Sequence, residues 1–210
     1  MAVGNLEVLK WLEALQQIYA ANRERLTELD SDIGDADHGT NMDRGFTAVK
    51  AELAAHAASD IGSILQKVAT VLIRSVGGSA GPLYGTFFLR AGTACAGKTE
   101  MGAADVVAMF QAGIAGVQQR GKAVAGDKTM MDALLPALEA MRKASEGGRS
   151  LAEILDQGAS AAESGMLATV PMQARKGRAS YLGARSIGHQ DPGATSSYLL
   201  VKAAADTWRS

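Results

Sequence analysis

Apolar residues recur along this chain at spacings of three and four, as they do in helices with one buried face. Val8, Leu12, Leu15 and Tyr19 form such a stripe near the N-terminus. Val107, Phe110, Ile114 and Val117 form another, and Leu134, Leu138 and Met141 a third. Alternating strand patterns are missing. The pattern predicts eight helices, at about 6–22, 39–54, 61–76, 80–96, 103–120, 130–146, 150–168 and 192–208. Asp60 and Ser150 stand where N-caps belong. Asp191-Pro192 places a capping aspartate before a proline at the first helical position. The helices are rich in alanine and glycine, so their axes can approach closely, and the short connections favour antiparallel neighbours. One connection is different. The stretch TVPMQARKGRASYLGARSIGHQ, residues 169–190, is too long for a passive link in a compact domain, which suggests a functional loop.

The fold class expected is therefore all-α, in a single domain over residues 1–210. Composition narrows the partners. A net charge of −1 provides no electrostatic footprint for nucleic acid or an anionic membrane, and 5% aromatics argues against base-stacking surfaces. Neither a run of about 18 apolar residues nor a signal-peptide core is visible, so no membrane span is expected. The single cysteine, Cys95, excludes an intrachain disulfide and fits a reducing, cytoplasmic compartment. Its expected role is that of a small apolar residue inside a helix.

Chemistry concentrates in the run LDSDIGDADHGTN, which holds Asp30, Asp32, Asp35 and Asp37. Two carboxylates ~4 Å apart repel by roughly 4 kcal/mol at an effective dielectric near 20. Such a cluster suits a hard cation, Mg²⁺ or Ca²⁺, better than zinc. A solvated acidic turn is the plainer alternative. An EF-hand fails on register, because Asp35 falls where glycine is required and Asn41 where glutamate is required. His38, Gly39, Thr40 and Asn41 then open a helix, whose free N–H groups attract phosphate. Carboxylates beside an anion site call for a metal between them.

Four further segments share this style. SVGGSAGPLYG sets consecutive glycines before a helix, either as an anion-binding turn or simply as a tight interhelical turn. It is not a Walker A loop. RGKAVAGDKTM places Gly121, Lys128, Thr129 and Met130 near a helix start, where a plain surface loop is the alternative. Arg178 suits bidentate phosphate recognition, and Asp191-Pro192-Gly193 reads as a helix cap. No serine or cysteine nucleophile has a readable His–acid pair, and three scattered histidines with one cysteine do not make a zinc site. His56 reads as a helix surface residue; His189 lies in the long loop beside Asp191.

The strings IGDADHGTNMDRGF, SVGGSAGPLYGTFF, GDKTMMDALLP and QARKGRASYLGARSIGHQDPGATS closely resemble the L subunits of dihydroxyacetone kinases, in the right order and with the right gaps. The resemblance implies eight antiparallel helices closed into a barrel that binds ADP or ATP through the loops at one end. It implies two Mg²⁺ ions on Asp30, Asp35 and Asp37. It further implies nucleotide contacts from His38, Gly39, Thr40, Asn41, Ser79, Ala80, Gly121, Met130, Arg178, Asp191, Pro192 and Gly193. Asp32 is left with a local or supporting role. The family usually has serine second after the double glycine, whereas this chain reads Ser79-Ala80.

The implied activity is phosphoryl transfer to dihydroxyacetone held covalently on a separate K subunit. This chain alone is then inactive. The final string favours the phosphotransferase-system type, in which an M subunit rephosphorylates bound ADP, over free exchange of ATP. Rival readings are a kinase for another ketose or sugar alcohol, a fatty-acid kinase domain, a nucleotide-sensing module for a transcriptional regulator, and a Mg²⁺-dependent phosphohydrolase. A homodimer is left open.

Overall fold

The computed structural model describes residues 2–54 and 60–209. His56 lies outside the described residues. Nine α-helices are found among them: α1 (Asn5–Ala21), α2 (Arg23–Ile33), α3 (His38–Ala54), α4 (Ile61–Ser75), α5 (Ala80–Ala94), α6 (Ala103–Gly121), α7 (Met131–Glu146), α8 (Leu151–Ala168) and α9 (Pro192–Thr207). A 3-10 helix, Arg178–Ser186, occupies the long connection.

The prediction of eight helices falls one short, because α2 was read as part of a loop. Its buried face is Leu26, Leu29, Asp30 and Ile33. A carboxylate holds one position of that stripe, so its apolar periodicity is broken. One strand pair was also unforeseen. β1 (Val3–Gly4) pairs antiparallel with β2 (Glu100–Met101), Val3 opposite Met101.

Capping explains several boundaries. Asp60 accepts the N–H of Ser63 at 3.0 Å. Ser150 and Glu153 form a reciprocal capping box at the start of α8. Asp191 accepts the N–H of Ala194 at 2.6 Å, ahead of Pro192 at the first position of α9.

The helices pack in a circuit. α1 lies on α3, α3 on α4, α4 on α5, α5 on α6, α6 on α7, α7 on α8, α8 on α9, and α9 again on α1. The interior is aromatic at its centre. Trp11 and Trp208 stand 5.1 Å apart between ring centroids, Trp11 and Phe88 5.7 Å, and Tyr19 and Phe46 4.7 Å. Both indoles find carbonyl acceptors: Trp11 Nε1 donates to Leu200 O at 3.3 Å and Trp208 Nε1 to Glu7 O at 3.0 Å. α4 and α5 touch backbone to backbone. A Cβ on Gly62 stands 2.8 Å from Gly92 O, and one on Gly92 stands 2.8 Å from Gly62 O. Only glycine permits that approach. Cys95 is buried one residue past the end of α5, and burial pushes its thiol up to about 11. Among the described residues no helix is long and apolar enough to cross a membrane.

Trp11 is fully buried where α1 meets α9. Trp11→Ala is expected to lower the unfolding free energy by about 3–5 kcal/mol, read as a reduced urea midpoint.

Candidate functional site

One end of the circuit encloses a cavity of about 480 Å³. α3, α5, α7 and α9 all begin at it, with His38, Ala80, Met131 and Pro192 in its wall, while α6 ends there at Gly121. The ends of α2 and α6 that reach the cavity are C-terminal. Each N-terminus carries roughly half a positive charge, so four of them favour an anion at this end, while Asp30, Asp132 and Asp191 already accept N–H groups at the starts of α3, α7 and α9.

Carboxylates oppose that field. Asp30 sits in the last turn of α2, and Asp35 and Asp37 lie in the link to α3. One oxygen from each of the three falls within 4.8 Å of the others. Asp30 is buried, and its Oδ2 accepts the N–H of Asp37 at 2.9 Å and of His38 at 3.1 Å. Those bonds fold the link back over the end of α2, with Ala36 in the left-handed region at φ 59°. Asp32 also belongs to α2, not to a turn. It belongs neither to the trio nor to the cavity wall, and its Oδ2 stands 3.2 Å from His189 Nδ1. Arg178 Nη2 lies 2.9 Å from Asp35 Oδ2 and ties the 3-10 helix to the carboxylates.

His38 shows how the floor is built. Its Nε2 is 2.8 Å from Ser196 Oγ, which is also 2.7 Å from the Tyr84 hydroxyl and 3.1 Å from Gly193 O. A hydroxyl has one proton and two lone pairs. Donation to Gly193 O leaves Ser196 Oγ to accept from Tyr84 and from a His38 protonated on Nε2. Burial pushes the His38 pKa down against the pull of Asp30 and Asp37, so a neutral ring fits this arrangement. Burial likewise pushes the Tyr84 phenol up to about 12.

Of the residues predicted for the site, Asp30, Asp35, Asp37, His38, Asn41, Ser79, Ala80, Gly121, Met130, Arg178, Asp191, Pro192 and Gly193 line the cavity. Gly39 and Thr40 do not. His38 and Asn41 share one face of α3 at i and i+3, which turns the two residues between them outward. Gly39 packs against the α2 backbone at Arg23 O, and Thr40 is exposed beside Arg23 and Thr27. Asn41 is held by Arg44, whose Nη2 donates to its Oδ1 at 2.5 Å while Nε donates to Ser75 O at 2.8 Å. This fixes α3 against the glycine turn that follows α4.

Several wall residues were not assigned to the site from the sequence. Arg120 and Lys176 add cationic side chains, and their only sequence signal was proximity to glycine. Lys128 also borders the cavity, but its ammonium is turned into the protein, onto the carbonyls of Met172, Ser186 and His189. Asp132 accepts the N–H groups of Gly126 at 2.5 Å and Thr129 at 2.7 Å, which orders the approach to α7. Leu83, Val117, Ala123 and Met131 make an apolar part of the wall. The cavity therefore offers an apolar side, a cationic rim, four helix N-termini and a hard-oxygen trio.

Fold and site together describe an all-helical domain built to receive a charged ligand at one end. Residues 32–206 match the DAK2 domain, and the chain belongs to that family. It is 48% identical over 202 residues to the ADP-binding subunit DhaL of the PEP-dependent dihydroxyacetone kinase of Escherichia coli (strain K12), covering 96% of each chain. It is 42% identical to the ADP-binding subunit DhaL of PEP-dependent dihydroxyacetone kinase 2 of Listeria innocua, covering 90% of this chain and 88% of that one. The dihydroxyacetone kinase of C. freundii, solved in complex with AMP-PNP and Mg²⁺, shares the fold at a TM-score of 0.73 and 24% identity, over 98% of this chain and 34% of that one.

Asp191 provides a pH-dependent signature. Burial pushes its carboxyl up to about 7, reinforced by Asp132 and Asp30 and opposed by the Ala194 N–H and Lys128. The folded state then holds a proton that the unfolded state releases near 3.8. Stability of the ligand-free chain is expected to fall as pH rises from about 4 to about 7 and to level off above that. Asp191→Asn, which keeps a capping oxygen, is expected to flatten this part of the profile in denaturation midpoints taken across pH 4–8.

Proposed function

We propose that this chain is the nucleotide-carrying subunit of a dihydroxyacetone kinase. It presents the phosphoryl group of a Mg²⁺-bound adenine nucleotide to dihydroxyacetone held on a separate K subunit. ADP stays bound and is rephosphorylated in place by a phosphotransferase-system M subunit, as the PEP-dependent relatives suggest. The packing circuit from α1 round to α9 supports reading the domain as a closed helix barrel that binds at one end.

One observation carries this reading: three carboxylate oxygens within 4.8 Å lie in a cavity that four helix N-termini also face. The N-termini attract phosphates, whereas the carboxylates alone would repel them. Cations between the two satisfy both. The donor set is all oxygen, which fits Mg²⁺ and disfavours zinc. Asp30, Asp35 and Asp37 would hold the two ions that the family resemblance implies. Bound there, Mg²⁺ neutralises charge on the transferring group.

The chain's own residues supply position. The start of α5 and the Ser79-Ala80 turn face the phosphates, and the dipoles of α3 and α9 add to the field there, their first N–H groups being held by Asp30 and Asp191. Arg178 supplies a planar cation at the rim. Gly121 and Met130, with the apolar wall around Leu83 and Val117, take the base. Every one of these interactions is with the donor, which fits an acceptor held on another subunit.

Asp35→Ala and Asp37→Ala are expected to weaken Mg²⁺-dependent ADP binding by more than the ~10–100-fold that losing an outer-shell partner costs a metal site. Calorimetric titration with Mg²⁺ and with EDTA measures this, and unchanged affinity in both variants would remove the metal assignment. The isolated chain is expected to transfer no phosphate from ATP to dihydroxyacetone, and K and M subunits with phosphoenolpyruvate are expected to restore turnover. Transfer by the chain alone would refute the division of labour.

A further inference from the structure

Lys128 is buried to 1% exposure and sits in the left-handed region at φ 61°. Its Nζ donates to three main-chain carbonyls: Met172 O at 3.1 Å, Ser186 O at 2.6 Å and His189 O at 2.5 Å. An ammonium has three N–H donors, and all are used. Among the described residues no carboxylate lies within salt-bridge distance of it. Burial pushes its pKa down, with Asp191 opposing.

This is a costly residue to keep. A buried charge is tolerated only when it is fully hydrogen-bonded, and left-handed backbone at a non-glycine persists only where its surroundings over-determine it. The hydrophobic core needs neither. The loop does, because its acceptors bracket Arg178 on both sides. The loop's own apolar anchor is a small cluster of Ile33, Ala174 and Ala179 with Leu182 against it, separate from the main core. Around it the other ties are single bonds: Ala174 N to Ser186 Oγ at 2.9 Å, Gly188 N to Val170 O at 2.8 Å, and Arg175 N to Asp127 O at 3.0 Å. Lys128 alone gathers three points of the loop on one atom.

We propose that Lys128 is a positioning residue: its ammonium pins residues 172–189 so that Arg178 is held over the carboxylate trio. The nucleotide arm of this proposal rests on the function proposed above; the loop arm does not. Arg175, Lys176, Arg178 and Arg185 are exposed, so trypsin reports directly on loop opening.

The test uses the full-length chain carrying Lys128→Met, which keeps length and removes the charge. Limited trypsinolysis within 175–185 is expected to be at least about tenfold faster than in the parent, with the circular dichroism spectrum unchanged. Mg²⁺–ADP affinity is expected to drop about tenfold in the parent background and hardly at all in an Arg178→Ala background, because the two substitutions act on one contact. Lys128→Gln, which retains two N–H donors, is expected to fall between parent and Lys128→Met in both readouts, and it decides the question if the methionine variant does not fold. Unchanged proteolysis in the folded variant overturns the proposal whatever the nucleotide does. An equal affinity loss in both backgrounds overturns the action through Arg178. A parent chain that binds no Mg²⁺–ADP removes the nucleotide reading and leaves the proteolysis arm to decide Lys128.

Discussion

Ser196 joins four helices at a single hydroxyl-bearing residue beneath the cavity. Its carbonyl accepts from the Tyr19 phenol of α1 at 2.8 Å, and its hydroxyl meets His38 of α3, Tyr84 of α5 and the Gly193 carbonyl at the head of α9. Tyr19, His38, Tyr84 and Ser196 are all buried, and an unsatisfied polar group there costs far more than a bond made on the surface contributes. The network therefore acts as a register pin. It sets the depth at which α3, α5 and α9 present their N-termini, while the aromatic packing around Trp11 fixes only that the helices touch. A core of aromatic and aliphatic side chains tolerates small slides; a three-partner hydroxyl does not.

Above this floor the site is a balance of opposed charges. Four helix ends favour anions, and Asp30, Asp35 and Asp37 favour cations. Two devices on the chain itself moderate the conflict. Asp30 spends one oxygen on the N–H groups of Asp37 and His38, so part of its charge already answers the dipole of α3. Arg178 answers Asp35 from across the cavity. Each arrangement leaves carboxylate oxygens free, which is what a site shared between protein and phosphates requires.

Most of the helical framework was legible because burial in a helical ring imposes the three-and-four spacing directly. The failures come where another force outweighs it. α2 was hidden because Asp30 takes a core-facing position for its hydrogen bonds, not for its hydrophobicity. Gly39 and Thr40 were assigned to the site as part of a contiguous motif, yet a helix keeps only residues three or four apart on one face and turns those between them away; Gly39 is there because α3 crosses the α2 backbone at Arg23. The three clustered aspartates were legible from their density. Asp32 could be set apart only through the family, and its partner His189 lies at the far end of the long loop, beyond any local pattern. Order in that loop was equally invisible, because it comes from a lysine more than forty residues upstream of its acceptors.

That remote anchoring has a consequence for how the site moves. A loop held by apolar packing opens only by exposing surface to water, at a cost proportional to area. This loop is held mainly by hydrogen bonds, by the Arg178–Asp35 ion pair and by the His189–Asp32 contact, both on partly exposed groups. Exposed pairs contribute little each, about 0–1 kcal/mol. The rim can therefore release Arg178 from Asp35 at small cost while the buried Lys128 contacts stay in place. Under the proposed function, Arg178 can leave Asp35 for a phosphate without the loop unfolding, and charge is exchanged at the mouth of the cavity while the buried Lys128 contacts hold the loop.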